Sequence, residues 1–221
     1  MFASTFSLHV RRGVLALALA ASTGLAAADT MHVVLDTSSF TGYAGAGWLD
    51  LQFNPGSATA ALAGATVSNL AGFDGSVAAQ LSGDASGSPA SGYQLDNGTG
   101  YNDVFSAVHL GGKVSFDVSF SGAADASGQL AGSLFGVALY GGADIPTASQ
   151  LGHADANSGN LAQFAWQPGL SGNAGSVSTT VFDGAVVTVS AVPEPSGWLM
   201  LGAGLALVGV STRRKQQPAV A

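Results

Sequence analysis

The sequence predicts an all-β protein: one antiparallel β-sandwich or jelly-roll-like domain, held between an N-terminal signal peptide and a C-terminal apolar helix. Three observations carry that prediction. Apolar and polar residues alternate with period two in several short stretches, as they do in half-buried strands. Glycine accounts for 32 of 221 residues, about twice its usual share, which fits a chain with many tight turns. Lysine and glutamate, the usual coat of surface helices, are nearly missing. Between residues 29 and 192 there is no glutamate, and Lys113 is the only lysine or arginine.

The N-terminal segment carries Arg11 and Arg12, an apolar core at 14–21 (VLALALAA) and small residues ending in Ala26-Ala27-Ala28. Charge, apolar core and small-residue site in that order predict a secretory signal peptide that a signal peptidase cleaves near Ala28.

Strands are expected in order along the body. The first lies at 31–35. At 48–53 (WLDLQF), Leu49, Leu51 and Phe53 alternate inward and leave Trp48 on the opposite face, and Asn54-Pro55-Gly56 is expected to end the strand as a turn. A strand is expected at 58–70, followed by an exposed flexible loop at 83–92 (GDASGSPASG). The stretch 96–103 (DNGTGYND) gathers Asp96, Asn97, Asn102 and Asp103 on a glycine-flexed loop. Such hard oxygen ligands suit calcium, although the spacing is not that of an EF-hand. The competing reading is a polar turn whose side chains cap their own backbone. Trp48 and Tyr101 are candidates for stacking on a sugar ring.

At 113–120 (KVSFDVSF) the alternation is unbroken: Val114, Phe116, Val118 and Phe120 share one face. The preceding 103–110 reads as its partner strand, with Gly111-Gly112 as a two-residue hairpin turn. Further strands are expected at 133–140, 161–166 and 177–191, the last folded at Asp183-Gly184 as a hairpin or bulge.

The chain closes with Val192, Pro193, Glu194, Pro195 and Ser196, an uncharged apolar run at 197–212, and the basic stop Arg213, Arg214 and Lys215. The prolines fix their own φ and push the preceding residues toward extended geometry, so the tripeptide offers a stiff, unpaired strand to a processing enzyme. As a helix, the apolar run reaches only about 24 Å, against a hydrocarbon core of about 30 Å. It suits transient membrane association, with the basic cluster on the cytoplasmic side. Motif, apolar stretch and basic cluster together resemble the PEP-CTERM sorting signal. That resemblance implies an exosortase-type membrane enzyme as partner, export with a transient hold at the inner membrane, and final residence at the cell surface or outside the cell. Within the body, 33–60 (VVLDTSSFTGYAGAGWLDLQFNPGSATA) is similar to the opening of a group of PEP-CTERM proteins with a DTS motif and an LDFQFNPG-type run. That group carries no assigned activity. The expected division is a signal peptide at 1–28, a secreted body at 29–191, a sorting signal at 192–215 and a polar tail at 216–221.

Charge and composition then bound the function. Twelve aspartates against one lysine give the body a formal charge of −11, more acidic than the −7 of the whole chain. Such a surface repels phosphate backbones, so nucleic acid is not an expected partner. The absence of cysteine from the sequence removes disulfides and thiolate metal sites. The histidines at 32, 109 and 153 have no zinc-ligand spacing, and no G-x-S-x-G stretch offers a nucleophile within the body. No catalytic residue and no cofactor other than calcium is expected. The chain reads as a non-catalytic surface or matrix protein that meets extracellular polysaccharide, with a lectin-like carbohydrate-binding module as the alternative.

Overall fold

A computed structural model describes residues 30–43, 46–142, 147–170 and 173–192. Among the described residues, thirteen strands form two antiparallel sheets, as the alternation and turn content predict. The strands are β1 (Met31–Asp36), β2 (Ala46–Pro55), β3 (Ala63–Ala71), β4 (Gln80–Ser82), β5 (Ala85–Ser88), β6 (Gly92–Asp96), β7 (Asp103–His109), β8 (Lys113–Gly122), β9 (Ser133–Gly141), β10 (Ser149–Gln150), β11 (Ala162–Gln167), β12 (Ser176–Val181) and β13 (Val187–Ala191). The first sheet runs β13-β1-β8-β3-β6-β5, and the second runs β12-β11-β9-β2-β7-β4 with β10 beside β9. β1 pairs with β8, β2 with β7 and β3 with β6. This nesting is that of a jelly roll, in which a long folded ribbon is wound into two layers.

Two local signals mislead about pairing. Gly111-Gly112 does not close a hairpin, because β7 belongs to the second sheet and β8 to the first. The glycines cross between layers, and Thr37 fixes the crossing. Its Oγ1 donates to the Gly112 carbonyl at 2.7 Å and accepts from the amides of Gly111 and Gly112. Gly111 has a φ of 94°, which a side chain would strain. Asp183-Gly184 is likewise a crossing, from β12 at the edge of the second sheet to β13 at the edge of the first. The expected loop at 83–92 contains β5, paired with β6. Its strand character is hidden because it is short and lies at a sheet edge, with little of it buried. β2 also continues through Asn54 and Pro55 rather than stopping before them.

Inward-facing residues from both layers form one core. It includes Val33, Leu49, Leu51, Val67, Leu95, Val114, Val118 and Leu139. Phe120 sits at its centre, with ring centroids 5.9, 5.8 and 6.1 Å from Phe53, Phe135 and Phe164. The Tyr93 hydroxyl bonds Ser106 Oγ at 2.9 Å, a buried polar link from β6 to β7 across the layers.

The outer face of the first sheet is polar and internally paired. Asp117 holds His32 Nδ1 on one oxygen and Asn69 Nδ2 on the other, both at 2.6 Å. Thr66 donates to Gln94, which in turn donates to Asp96.

Candidate functional site

The outer face of the second sheet differs in kind. Because Leu49, Leu51 and Phe53 point into the core, period two sends Trp48, Asp50 and Gln52 outward from β2. Register adds Asp103, Phe105 and Ala107 from β7, opposite Gln52, Asp50 and Trp48. On the other side, β9 places Gly136, Ala138 and Tyr140 opposite the same three residues. The strands flanking β2 lie two spacings apart, about 9.6 Å, yet the Phe105 and Tyr140 centroids are 5.4 Å apart. Both rings therefore lean inward over β2. Phe105 also stacks on Trp48 at 5.7 Å and 30°. These rings explain how Trp48 and Asp50, on the outer side of a sheet, are only 8% and 4% exposed.

Asp50 and Asp103 are diagonal neighbours across β2 and β7. Asp50 Oδ2 accepts from Gln52 Nε2 at 2.7 Å. Burial, opposed by that hydrogen bond and reinforced by the charge of Asp103, pushes the Asp50 carboxyl up to about 6. Tyr101, at the rim, is 53% exposed. Partial burial of its ring, then the charges of Asp103 and Asp50, push its hydroxyl up to about 12. Burial and the Asp50 charge push the Tyr140 hydroxyl up as well. Among the described residues no lysine or arginine answers these charges, because Lys113 belongs to β8 in the other sheet.

Four buried side-chain atoms lack a hydrogen-bond partner among the described residues: Trp48 Nε1, Asp50 Oδ1, Asp103 Oδ1 and Asn160 Oδ1. All four sit on this face. Asn160 packs over Gly136, where a Cβ would come within 2.6 Å of its side chain. It lines a cleft of about 230 Å³ with Gln52, Asn54, Leu134, Ser158 and Gln163. Gln52 belongs to both parts, so carboxylates, rings and the amide-lined cleft form one continuous surface. An isolated buried polar group costs about 1–3 kcal/mol. Among the described residues, all four such atoms lie on this outer face and none on the other.

The sequence candidates are distributed unevenly over this surface. Trp48, Tyr101 and Asp103 come together on it, with Trp48 beneath Phe105 rather than open. Asp96 lies on the first sheet, paired to Gln94. Asn97 bonds the backbone of Ala61 and Ala63 and the Ser133 hydroxyl. Asn102 accepts from the Asp84 amide and donates to the carbonyls of Phe53 and Thr99. Both asparagine side chains hold strands together, and the four candidate calcium ligands do not converge. No group of three or more His, Asp or Glu side chains suited to a metal occurs among the described residues. Sequence reasoning missed Asp50, Gln52, Phe105, Tyr140 and Asn160. The available signal was the alternation at 48–53, which puts Asp50 and Gln52 on the face of Trp48.

Among the described residues no helix is long and apolar enough to cross a membrane. The expected signal peptide at 1–28, the motif residues Pro193 to Ser196, the apolar run and the basic stop at 213–215 lie outside the described residues. Val192 is the last one described, and its amide donates to the Thr30 carbonyl at 2.8 Å. No curated protein and no solved structure matches the chain. Residues 191–215, however, match the model of the PEP-CTERM protein-sorting motif, so the chain carries that signal and is an exported protein directed to exosortase, a membrane processing enzyme.

Proposed function

We propose that this exported protein is a non-catalytic component of the cell surface or extracellular matrix, and that its body holds extracellular polysaccharide on the outer face of the second sheet. One observation carries the reading. The buried polar atoms without partners gather on the face that also bears Trp48, Phe105, Tyr140 and Tyr101. Sugar rings offer an apolar face to aromatic side chains and hydroxyls to carboxylates and amides, the two kinds of group that alternate here.

The same carboxylate pair bears on a hydrolytic reading, since glycosidases use two acids flanking one bond and raise the pKa of one of them. Asp50 and Asp103 lie beneath the rings rather than across an open cleft, which favours binding. A glycan array probed with the exported protein tests the proposal. Binding that weakens about three- to tenfold in Tyr101→Ala, without release of new reducing ends, is the expected result. Reducing-end release would replace the binding role with hydrolysis, and an array without signal would remove the carbohydrate role.

A further inference from the structure

We infer that the carboxylate pair Asp50 and Asp103, on the face covered by the Phe105 and Tyr140 rings, takes the ammonium group of an amino sugar, so that the preferred polysaccharide carries free amines. This rests on the carbohydrate reading and narrows it. Asp50 and Asp103 are buried side by side, each with an oxygen that has no partner among the described residues. The body's other charges are engaged elsewhere. His32 meets Asp117 at 2.6 Å, His153 meets Asp183 at 3.4 Å, His109 faces Asp74, and Lys113 is on the other sheet. Among the described residues no lysine, arginine or histidine meets the pair, so the balancing charge is assigned to the ligand.

The surroundings select the kind of cation. Calcium seeks six to eight oxygens, and this face offers two carboxylates among aromatic rings, with the Gln52 amide nitrogen turned to Asp50. Aromatic faces attract organic ammonium groups, and do so more strongly when water is excluded. Trp48, Phe105, Tyr140 and Tyr101 supply those faces around the pair. Asn160, Gln163 and Ser158 line the adjoining cleft with amide and hydroxyl groups suited to the hydroxyls of the next sugar. Phe105 and Tyr140 are half-buried and Tyr101 is exposed. These are the side chains that swing aside for the ammonium to reach Asp50.

The test is calorimetric titration of the exported protein at pH 6.5, where the sugar amines are substantially protonated, in physiological salt with a chelator, using glucosamine hexamers and N-acetylglucosamine hexamers. Glucosamine hexamers are expected to bind at least tenfold more tightly. That preference should collapse in the Asp50→Asn/Asp103→Asn double variant and persist in Asp96→Asn, which removes an exposed charge from the outer face of the first sheet. Thermal unfolding verifies that each variant is folded, and Asp50→Asn alone provides a milder probe if the double variant is not. Equal affinity for both hexamers overturns the ammonium inference and leaves carbohydrate binding intact. Binding of neither overturns both. A preference that survives the double variant shows attraction by overall negative charge and overturns the assignment to this carboxylate pair.

Discussion

The two outer faces of the sandwich use the same residue type to opposite ends. On the first sheet, Asp117 gives each oxygen a partner, and Thr66, Gln94 and Asp96 hand hydrogen bonds along the surface. On the second, Asp50 and Asp103 each leave an oxygen unpaired beneath aromatic rings. The turn aspartates resemble the first face. Asp125 accepts from Ser127 and the Leu130 amide, which hold its carboxyl down at about 2. Asp183 is buried, but amide donors from His153, Ala185 and Val186 outweigh that burial and lower its pKa. The aspartates with internal partners serve the fold, and the proposed ligand role of Asp50 and Asp103 rests on their departure from that pattern.

Four measurements break or sharpen this contrast. The largest effect is expected where both faces hang on one scaffold. Asn102→Ala strands the Asp84 amide and the Phe53 carbonyl and should cost about 3 kcal/mol in urea denaturation. A chelator should leave the wild-type midpoint unchanged, because the Asn97 and Asn102 side chains are engaged with the protein itself. Loss of stability on chelation would restore the calcium reading.

Next comes Asp50→Asn. A carboxylate whose folded pKa is raised from 3.8 to about 6 destabilises the fold once it ionises. The cost is absent below the unfolded value and complete above the folded one. The amide should therefore stabilise the protein by roughly 2–3 kcal/mol at pH 8 and change little near pH 3.5. No gain at pH 8 would mean that Asp50 has a partner after all.

On the opposite face, Asp117→Asn should carry the other sign and lose about 1–2 kcal/mol at pH 7, since it weakens two short hydrogen bonds. Equal signs for the two substitutions would erase the distinction between the faces. The smallest stability change belongs to Tyr101→Ala, within about 0.5 kcal/mol. Glycan affinity should nonetheless fall three- to tenfold, the worth of about one aromatic contact.

Strand positions were legible in the sequence where a buried face runs long enough to display the alternation. The stretch 113–120 displays its core side as Val114, Phe116, Val118 and Phe120, and all four are buried. β6 was missed because its buried face consists of only Tyr93 and Leu95 in a five-residue strand, and β4, β5 and β10 are short edge pieces of the kind that carry no apolar stripe. Pairing was misread for a different reason. Gly111-Gly112 looks the same locally whether it closes a hairpin or crosses between layers, and the deciding contact comes from Thr37, over 70 residues away. The site was half visible. Trp48 and Tyr101 were picked out as aromatics, and Asp50 follows from period two. The meeting of Asp50 with Asp103 depends on the register of β2 against β7, and no short-range pattern encodes a register between strands 50 residues apart.

β1 and β13 lie side by side, with Met31 opposite Ala191 and the Val192 amide bonded to Thr30. The first and last described residues thus meet at one corner of the sandwich. The sorting signal begins where β13 ends, so a cut beyond Val192 would leave every described strand pair intact.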